Sequence, residues 1–400
     1  MSAGLFAVCA FVIGCASAQP SLSPAPATGA VIRVTSVPSY TPSMATMYIA
    51  GNFNGWNPGD TAYRMIADGK GGYSITLPPT VSGPIEFKFT LGSWDAVETD
   101  SAGGQVPNRG VVAANGTIYS GRVARWADPA RKVVREHTAR PTVSVVTENF
   151  NIPQLGRTRR VWLYLPADYA KNSDKYPVLY MHDGQNVFDN ATSFAGEWGV
   201  DETLDSLRTL GDKGVIVVAV DNGGPKRIDE YTPWKNAKYG GGEGERYVDF
   251  LVQTLKPYVD SHYRTLPDRM NTAIAGSSLG GLISLYAVLK YPKTFGRVGI
   301  FSPAFWIAPE LYKLAQDAGP LPSDVRLYFV IGGQESANAE ESASVVKDQE
   351  RMVSILMGDG LRKDSNLVSL VRADGKHSEW FWRREFPDAY RWLFARPASR

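Results

Sequence analysis

From residue 31 to about residue 124 the chain alternates apolar and polar positions in short runs broken by turn clusters. Residues 47–50, 73–77 and 86–90 carry the period-two pattern, with β-branched and aromatic side chains, that predicts strands. Asn57-Pro58-Gly59-Asp60 and Asp68-Gly69-Lys70-Gly71-Gly72 are turn signals. No helical periodicity interrupts them, so residues 31–124 are expected to form a small, all-β, immunoglobulin-like sandwich. A stretch rich in charge at 125–140 falls in the linker expected over 125–142. From residue 143 to about 395 the texture changes. Runs at 160–165, 178–181, 215–220, 298–301 and 325–330 predict strands, and the central ones are continuously apolar, as in strands covered on both faces. Helical patterns fall between them, for example over 246–258. Alternating strands and helices imply an α/β domain with a largely parallel sheet.

The first residues alter where this protein is expected to work. Residues 5–14 form a short apolar core, followed by Ala16-Ser17-Ala18, the pattern of a signal peptide cleaved after Ala18. Its leading residues lack Lys and Arg, and its core is too short to anchor in a membrane. Cys15 offers a lipoprotein alternative, with Val12-Ile13 a poor lead-in to it. Residues 19–30 are rich in Pro, Ala and Ser and read as a flexible leader. The chain has 2 cysteines, Cys9 and Cys15, both inside the leading segment. The mature protein is then without disulfides, thiolate chemistry or cysteine metal sites, which fits a bacterial periplasmic or secreted protein. Charge adds little: 42 Lys and Arg against 40 Asp and Glu point to neither nucleic acid nor an anionic membrane.

The chemistry centres on Gly276-Ser277-Ser278-Leu279-Gly280, between an apolar run at 271–275 and a helical pattern at 281–289. That is a nucleophile elbow, a tight strand-to-helix turn that holds the Ser278 hydroxyl out of the sheet. Flanking glycines fit because the turn brings backbone segments close together. The helix that follows directs free N–H groups and its positive end at a developing oxyanion.

A serine needs a positioned base, and the chain has 4 histidines. His137 lies in the linker, and His262 follows a helix as a surface or capping residue. His182 ends a strand ahead of the serine, out of the order nucleophile, acid, base. His377 follows the last strand, on a loop before a terminal helix, and is the expected base. The orienting acid belongs after the preceding strand. Glu335, in Gly332-Gly333-Gln334-Glu335, is the first carboxylate there, with Glu340 and Glu341 as alternatives at a helix start. Leu279 supplies one oxyanion N–H, and Gln185, in the strand-to-helix loop of residues 182–186, the other.

These residues resemble the esterase D-like branch of the α/β-hydrolases, which includes feruloyl, acetyl-xylan and enterochelin-type esterases and mycolyltransferases. The resemblance covers residues 143–394 and rests on several motifs in order. They are His182-Asp183-Gly184-Gln185-Asn186, Arg227-Ile228-Asp229-Glu230-Tyr231-Thr232-Pro233, Gly276-Ser277-Ser278-Leu279-Gly280-Gly281, Phe301-Ser302-Pro303-Ala304-Phe305-Trp306 and Gly375-Lys376-His377. It implies an α/β-hydrolase fold, Ser278 as nucleophile, His377 as base, Glu335 as acid, and Gln185 with Leu279 as oxyanion hole. Arg227 and Glu230 are expected to line the substrate cleft or to form a structural ion pair, and Trp306 to wall a pocket or to lie in the core.

The N-terminal segment resembles glycogen- and starch-binding modules through Gly51-Asn52-Phe53-Asn54-Gly55-Trp56 and the 87–94 stretch ending in Trp94. The likeness implies that Trp56 and Trp94 stack on sugar rings; the structural alternative is a module that serves only as spacer or lid. Residues 94–109 depart from the glycogen-binding pattern. The expected protein is an exported serine esterase acting on acyl groups of a polysaccharide. The alternatives are a siderophore trilactone esterase and a non-catalytic glycan-binding protein. No metal or organic cofactor is implied, because no ligand cluster or phosphate-cradling glycine loop appears.

Overall fold

The computed structural model describes residues 29–42, 44–101, 103–104, 106, 108–127, 135–336 and 338–394. The expected signal peptide at 1–18 lies outside them. The chain divides into two compact units, Met1–Pro129 and Ala130–Arg400.

In the first unit, one sheet pairs Ile66–Ala67, Tyr73–Thr76, Val31–Val34 and Ile118–Gly121 in that order. A second pairs Tyr48–Gly51, Gly83–Thr90 and Arg109–Ala113. Ile32, Val34 and Ile75 of the first sheet share one buried core with Ile49, Phe87 and Phe89 of the second, which makes the unit a sandwich. The expected linker proves shorter than 125–142. Arg125–Trp126 forms a strand against Glu98–Thr99, and Trp126 is buried in the sandwich core. Thr138 N–H donates to Asp189 Oδ1 (3.1 Å) and Arg140 N–H to Asp201 Oδ2 (2.8 Å), so residues from 135 belong to the second unit. Local charge masked one large apolar side chain and a row of backbone donors.

The second unit is built on eight strands: β1 Val143–Ile152, β2 Arg157–Tyr164, β3 Val178–Met181, β4 Ile216–Val220, β5 Thr272–Ser277, β6 Arg297–Phe301, β7 Arg326–Gln334 and β8 Leu367–Lys376. They lie in the order β1-β2-β4-β3-β5-β6-β7-β8. The first two are antiparallel to their neighbours, and the rest run parallel. Strand alternation sends Val178, Tyr180, Ile216, Val218 and Ile274 into one core and Leu179, Met181, Val217, Ala273 and Ala275 into another, one on each face. That is why these strands read as unbroken apolar runs.

The helix expected over 246–258 is interrupted. Gly244–Phe250 and Lys256–His262 are α-helical, and Leu251–Leu255 forms a wider π-helical turn between them. Pro257 has no N–H to give the regular ladder, and the widened turn precedes it. The parallel strands point their C-terminal ends the same way. The residues that follow β3, β5, β6, β7 and β8 are His182, Ser278, Ser302, Glu335 and His377. Among the described residues no helix is long and apolar enough to cross a membrane.

Candidate active site

Ser278 links β5 to the helix Leu279–Lys290 with φ 59° and ψ −121°, a conformation that strains a residue with a Cβ. The surroundings hold it there. Ser278 N–H donates to Phe301 O (2.9 Å), while its carbonyl accepts from Gly281, Leu282 and Ala304 N–H, each at 3.1 Å. The flanking glycines are explained by contact rather than by flexibility. A Cβ on Gly276 would stand 2.9 Å from both the Gly280 carbonyl carbon and His182 Cδ2, and one on Gly280 3.3 Å from His182 Cβ.

His377 follows β8 and precedes the helix Glu379–Phe394. Its Nδ1 lies 2.6 Å from Glu335 Oε2. A carboxylate can only accept here, so Nδ1 carries the proton and Nε2 keeps its lone pair. The Glu335 side chain is 4% exposed, against 37% for that of His377. Glu335 Oε1 in turn accepts from Ser302 Oγ (2.7 Å) and Gly332 N–H (2.6 Å). Trp382 Nε1 donates to Ser302 Oγ (3.0 Å), and its ring meets the His377 ring edge-on at 5.2 Å. A run of hydrogen bonds thus leads from Trp382 through Ser302 and Glu335 to His377. Of the three candidate acids, Glu335 is the one bonded to the imidazole. Glu340 sits in the first turn of the helix Ala339–Gly358, and Glu341 accepts from Ser336 Oγ (2.6 Å).

Leu279 is the first residue of its helix, where the N–H has no carbonyl one turn back. Gln185 lies in a short 3₁₀ turn, Gly184–Asn186, after Asp183, whose φ of 56° is left-handed. Asp183 is gripped by Arg227 Nε (2.7 Å) and Nη2 (2.9 Å) and by Asn222 Nδ2 (2.6 Å). Burial pushes the Asp183 carboxyl up, but the Arg227 charge and these hydrogen bonds outweigh it and hold the group below the usual range. Asn222 N–H also donates to Gln185 Oε1 (3.2 Å).

The remaining expected residues divide. Arg227 forms the ion pair with Asp183, the structural of its two alternatives. Glu230 also takes the structural alternative, an ion pair, rather than lining a cleft: it is 0% exposed and bonded to Arg157 Nη1 (2.8 Å) and to Arg159 Nη2. The short helix Arg227–Tyr231 turns it inward, toward arginines of β2. Trp306 is no core residue. It is 49% exposed and meets Tyr239 edge-on at 5.4 Å. In the first unit, Trp56 and the 43% exposed Trp94 face each other with ring centroids 6.4 Å apart. His137 pairs with Asp189 (2.7 Å), His262 stacks on Tyr258, and His182 is buried.

Ser302, Trp382 and Asn222 were missed as parts of the site. Ser302 lies inside a quoted motif, so its signal was present without a role. Glu379, buried beside Asn186 (3.3 Å), has its carboxyl pushed up by that burial.

Several known proteins are similar to this chain. YbbA of Bacillus subtilis (strain 168), named as an uncharacterized protein, is 27% identical over 250 residues, 60% of this chain and 94% of that one. An endo-1,4-beta-xylanase/feruloyl esterase of Xylanibacter ruminicola is 27% identical over 233 residues, 57% of this chain and 28% of that one. An alpha-amylase of Niallia circulans is 42% identical over 94 residues, 23% of this chain and 7% of that one. The solved enterochelin esterase of Shigella flexneri matches with a TM-score of 0.51 at 17% identity, covering 87% of this chain and 88% of that one, a likeness of fold. Residues 152–393 match the model of the family described as "Putative esterase", well over half of the chain, and with its α/β-hydrolase fold the protein belongs to that family.

Proposed function

We propose that this member of an esterase family is an exported serine esterase that removes acyl groups, acetyl or feruloyl, from a polysaccharide or oligosaccharide. The observation that carries the reading is the 2.6 Å contact of His377 Nδ1 with Glu335, after β8 and β7 at the same end of the parallel strands as the strained Ser278 turn after β5. In this account His377 Nε2 takes the Ser278 proton as the hydroxyl attacks the ester carbonyl. The oxyanion settles between the Leu279 and Gln185 amides. The sugar hydroxyl leaves with the proton from His377, and water activated by the same nitrogen then releases the acid. Glu335 holds the imidazole in its productive tautomer and stabilises the imidazolium. Export is supported by the apolar segment at 5–14 and its Ala16-Ser17-Ala18 sequel. A glycan-linked substrate is supported by the feruloyl esterase and amylase likenesses, and by the paired Trp56 and Trp94 rings.

A siderophore esterase on the same machinery has less support. The cations it would draw on are engaged, Lys226 with Asp229 (3.0 Å) and Arg227 with Asp183 (2.7 Å). The test is hydrolysis by the mature protein, from Gln19, beside Ser278→Ala. The substrates are p-nitrophenyl acetate, methyl ferulate, acetylated xylan and a catecholate trilactone, with retention on insoluble starch measured in parallel. Serine-dependent turnover of the xylan or ferulate is expected. Preference for the trilactone would transfer the assignment to siderophores. Starch retention without turnover would favour a glycan-binding protein.

A further inference from the structure

At the end of the sheet opposite Ser278 lies a cavity of about 500 Å³ that the ester chemistry does not use. It is lined by Pro177 before β3, Gly214 before β4, Asn271 before β5 and Arg297, the first residue of β6. Ser278 follows the far end of β5, whose 6 residues separate it from the cavity by roughly 20 Å at about 3.3 Å each. Arg297 is 8% exposed, and a buried guanidinium is ordinarily matched to a carboxylate. None pairs with it among the described residues. Its Nε donates to Met270 O (2.5 Å) and its Nη1 to Leu393 O, and these two carbonyls fix the plane of the group. Its remaining donors, both on Nη2 among them, meet no acceptor among the described residues. The acids whose charge reaches it are engaged elsewhere. Asp268 accepts from Met270 N–H (3.0 Å) and Asn271 Nδ2 (2.7 Å), and Asp324 pairs with Arg269. Burial, and then the like charge of Arg326, pull the Arg297 pKa down to about 10, so the group stays charged at neutral pH.

The rest of the lining adds to that charge. Lys175, Lys213 and Arg391 also line the cavity and are exposed, and neither lysine joins an ion pair among the described residues. Two acids, Asp174 and Asp212, stand against these cations. Asp212 Oδ1 already accepts from Gly214 N–H (2.7 Å) and from the Tyr390 hydroxyl (2.6 Å). The cavity is therefore left with a positive surplus. Pro177, Leu266 and Phe394 give it an apolar wall.

We infer that this cavity binds a small oxyanion, a carboxylate or phosphate carried on an apolar body, with Arg297 as its anchor. A guanidinium held in one plane, with Nη2 unengaged, receives such a group through charge-assisted N–H···O bonds. Lys175 and Lys213 attract the same charge from the solvent side, and the apolar wall receives the body of the ligand. The volume is that of an ordinary small-molecule site. Bound there, the anion supplies the counter-charge that Arg297 lacks and stabilises the folded chain. The site is separate from Ser278 and stands or falls apart from the ester reading.

The test titrates benzoate, phenyl phosphate and inorganic phosphate into the mature chain, at an ionic strength held constant with sodium chloride. Benzoate or phenyl phosphate at a hundred times its Kd should raise the melting temperature by about 5 °C, and inorganic phosphate, which has no apolar body, by less. The larger of the two aryl responses tells carboxylate from phosphate. Calorimetric affinity should fall by about tenfold or more in Arg297→Met, which removes the anchoring charge. That variant also removes two bonds to the main chain, so Lys175→Ala/Lys213→Ala, at exposed positions, is measured beside it. There the affinity should fall by about threefold to tenfold, and this decides the matter if Arg297→Met does not fold. In the wild type the ligand should leave KM for p-nitrophenyl acetate unchanged. Stabilisation no greater than chloride gives, or affinity undiminished in the lysine variant, would overturn the inference. Competitive inhibition at the same ligand concentration would overturn it too, by moving the binding to the ester site.

Discussion

Replacing Ser302 by alanine removes one hydroxyl that serves two neighbours. It donates to Glu335 Oε1 at 2.7 Å and accepts from Trp382 Nε1 at 3.0 Å. Glu335 would keep its bonds to Gly332 N–H and to His377, so the carboxylate stays held on two sides. The buried Trp382 N–H would lose its acceptor. A hydrogen bond to a charged group contributes about 1.5–3 kcal/mol, and an orphaned buried donor costs about 1–3 kcal/mol. One hydroxyl supplies both, and Gly332 softens the first, so the variant should lose about 2–4 kcal/mol of stability. At roughly 2–4 °C per kcal/mol for a domain of this size, melting should fall by on the order of 10 °C. Activity should fall less severely, because the acid itself remains. A looser imidazole that loses about 1.4 kcal/mol of transition-state stabilisation is about tenfold slower. Scanning fluorimetry and kcat/KM on p-nitrophenyl acetate read both effects at once. Unchanged melting together with unchanged kcat/KM would refute the supporting role, and so would a loss as large as that of Glu335→Gln.

Other outcomes follow from the same contacts. Glu335→Gln should cut kcat by about 10³–10⁴-fold through the wrong histidine tautomer, whereas Glu340→Gln and Glu341→Gln should leave it within about twofold. Glu230→Gln should cost about 3 kcal/mol in urea unfolding, because it leaves the partly buried Arg159 and Arg157 without their shared carboxylate, yet KM should stay put. Burial raises the Asp201 carboxyl to about 7, so its ionisation opposes folding. Its folded pKa lies above the ordinary value, so the penalty is absent below about pH 4, grows as pH rises and is complete above about pH 7. Asp201→Asn should therefore gain melting temperature relative to wild type from pH 5 to pH 8; a constant difference across that range would contradict the assignment.

Much of this molecule was legible before its structure. Parallel strands buried on both faces announce themselves as apolar runs, and the 276–280 elbow drew its weight from standing between such a run and a helical pattern. His377 was reached from chain order, as the histidine that comes after nucleophile and acid. Choosing among Glu335, Glu340 and Glu341 was another matter. All three follow β7 within a few residues, and only the Gly332 and Ser302 contacts show which one turns toward the imidazole. For Glu230 the sequence left cleft lining and an ion pair both open, because the partners, two arginines of β2, are not visible locally. That pairing joins residues about seventy positions apart, which local pattern does not register. The same limit hid Trp126, whose strand partner Glu98 is remote in sequence, and the contact of the Tyr247 hydroxyl with His182 Nδ1.

The central claim is that Ser278 is a nucleophile activated by His377. The most direct measurement is the site of covalent labelling by a fluorophosphonate, located by mass spectrometry of the digested mature protein. The account predicts a single adduct on Ser278, its rate falling by about a thousandfold or more in His377→Ala and vanishing in Ser278→Ala. Label on Ser277 or Ser302, or labelling of Ser278 at an undiminished rate without His377, would contradict it.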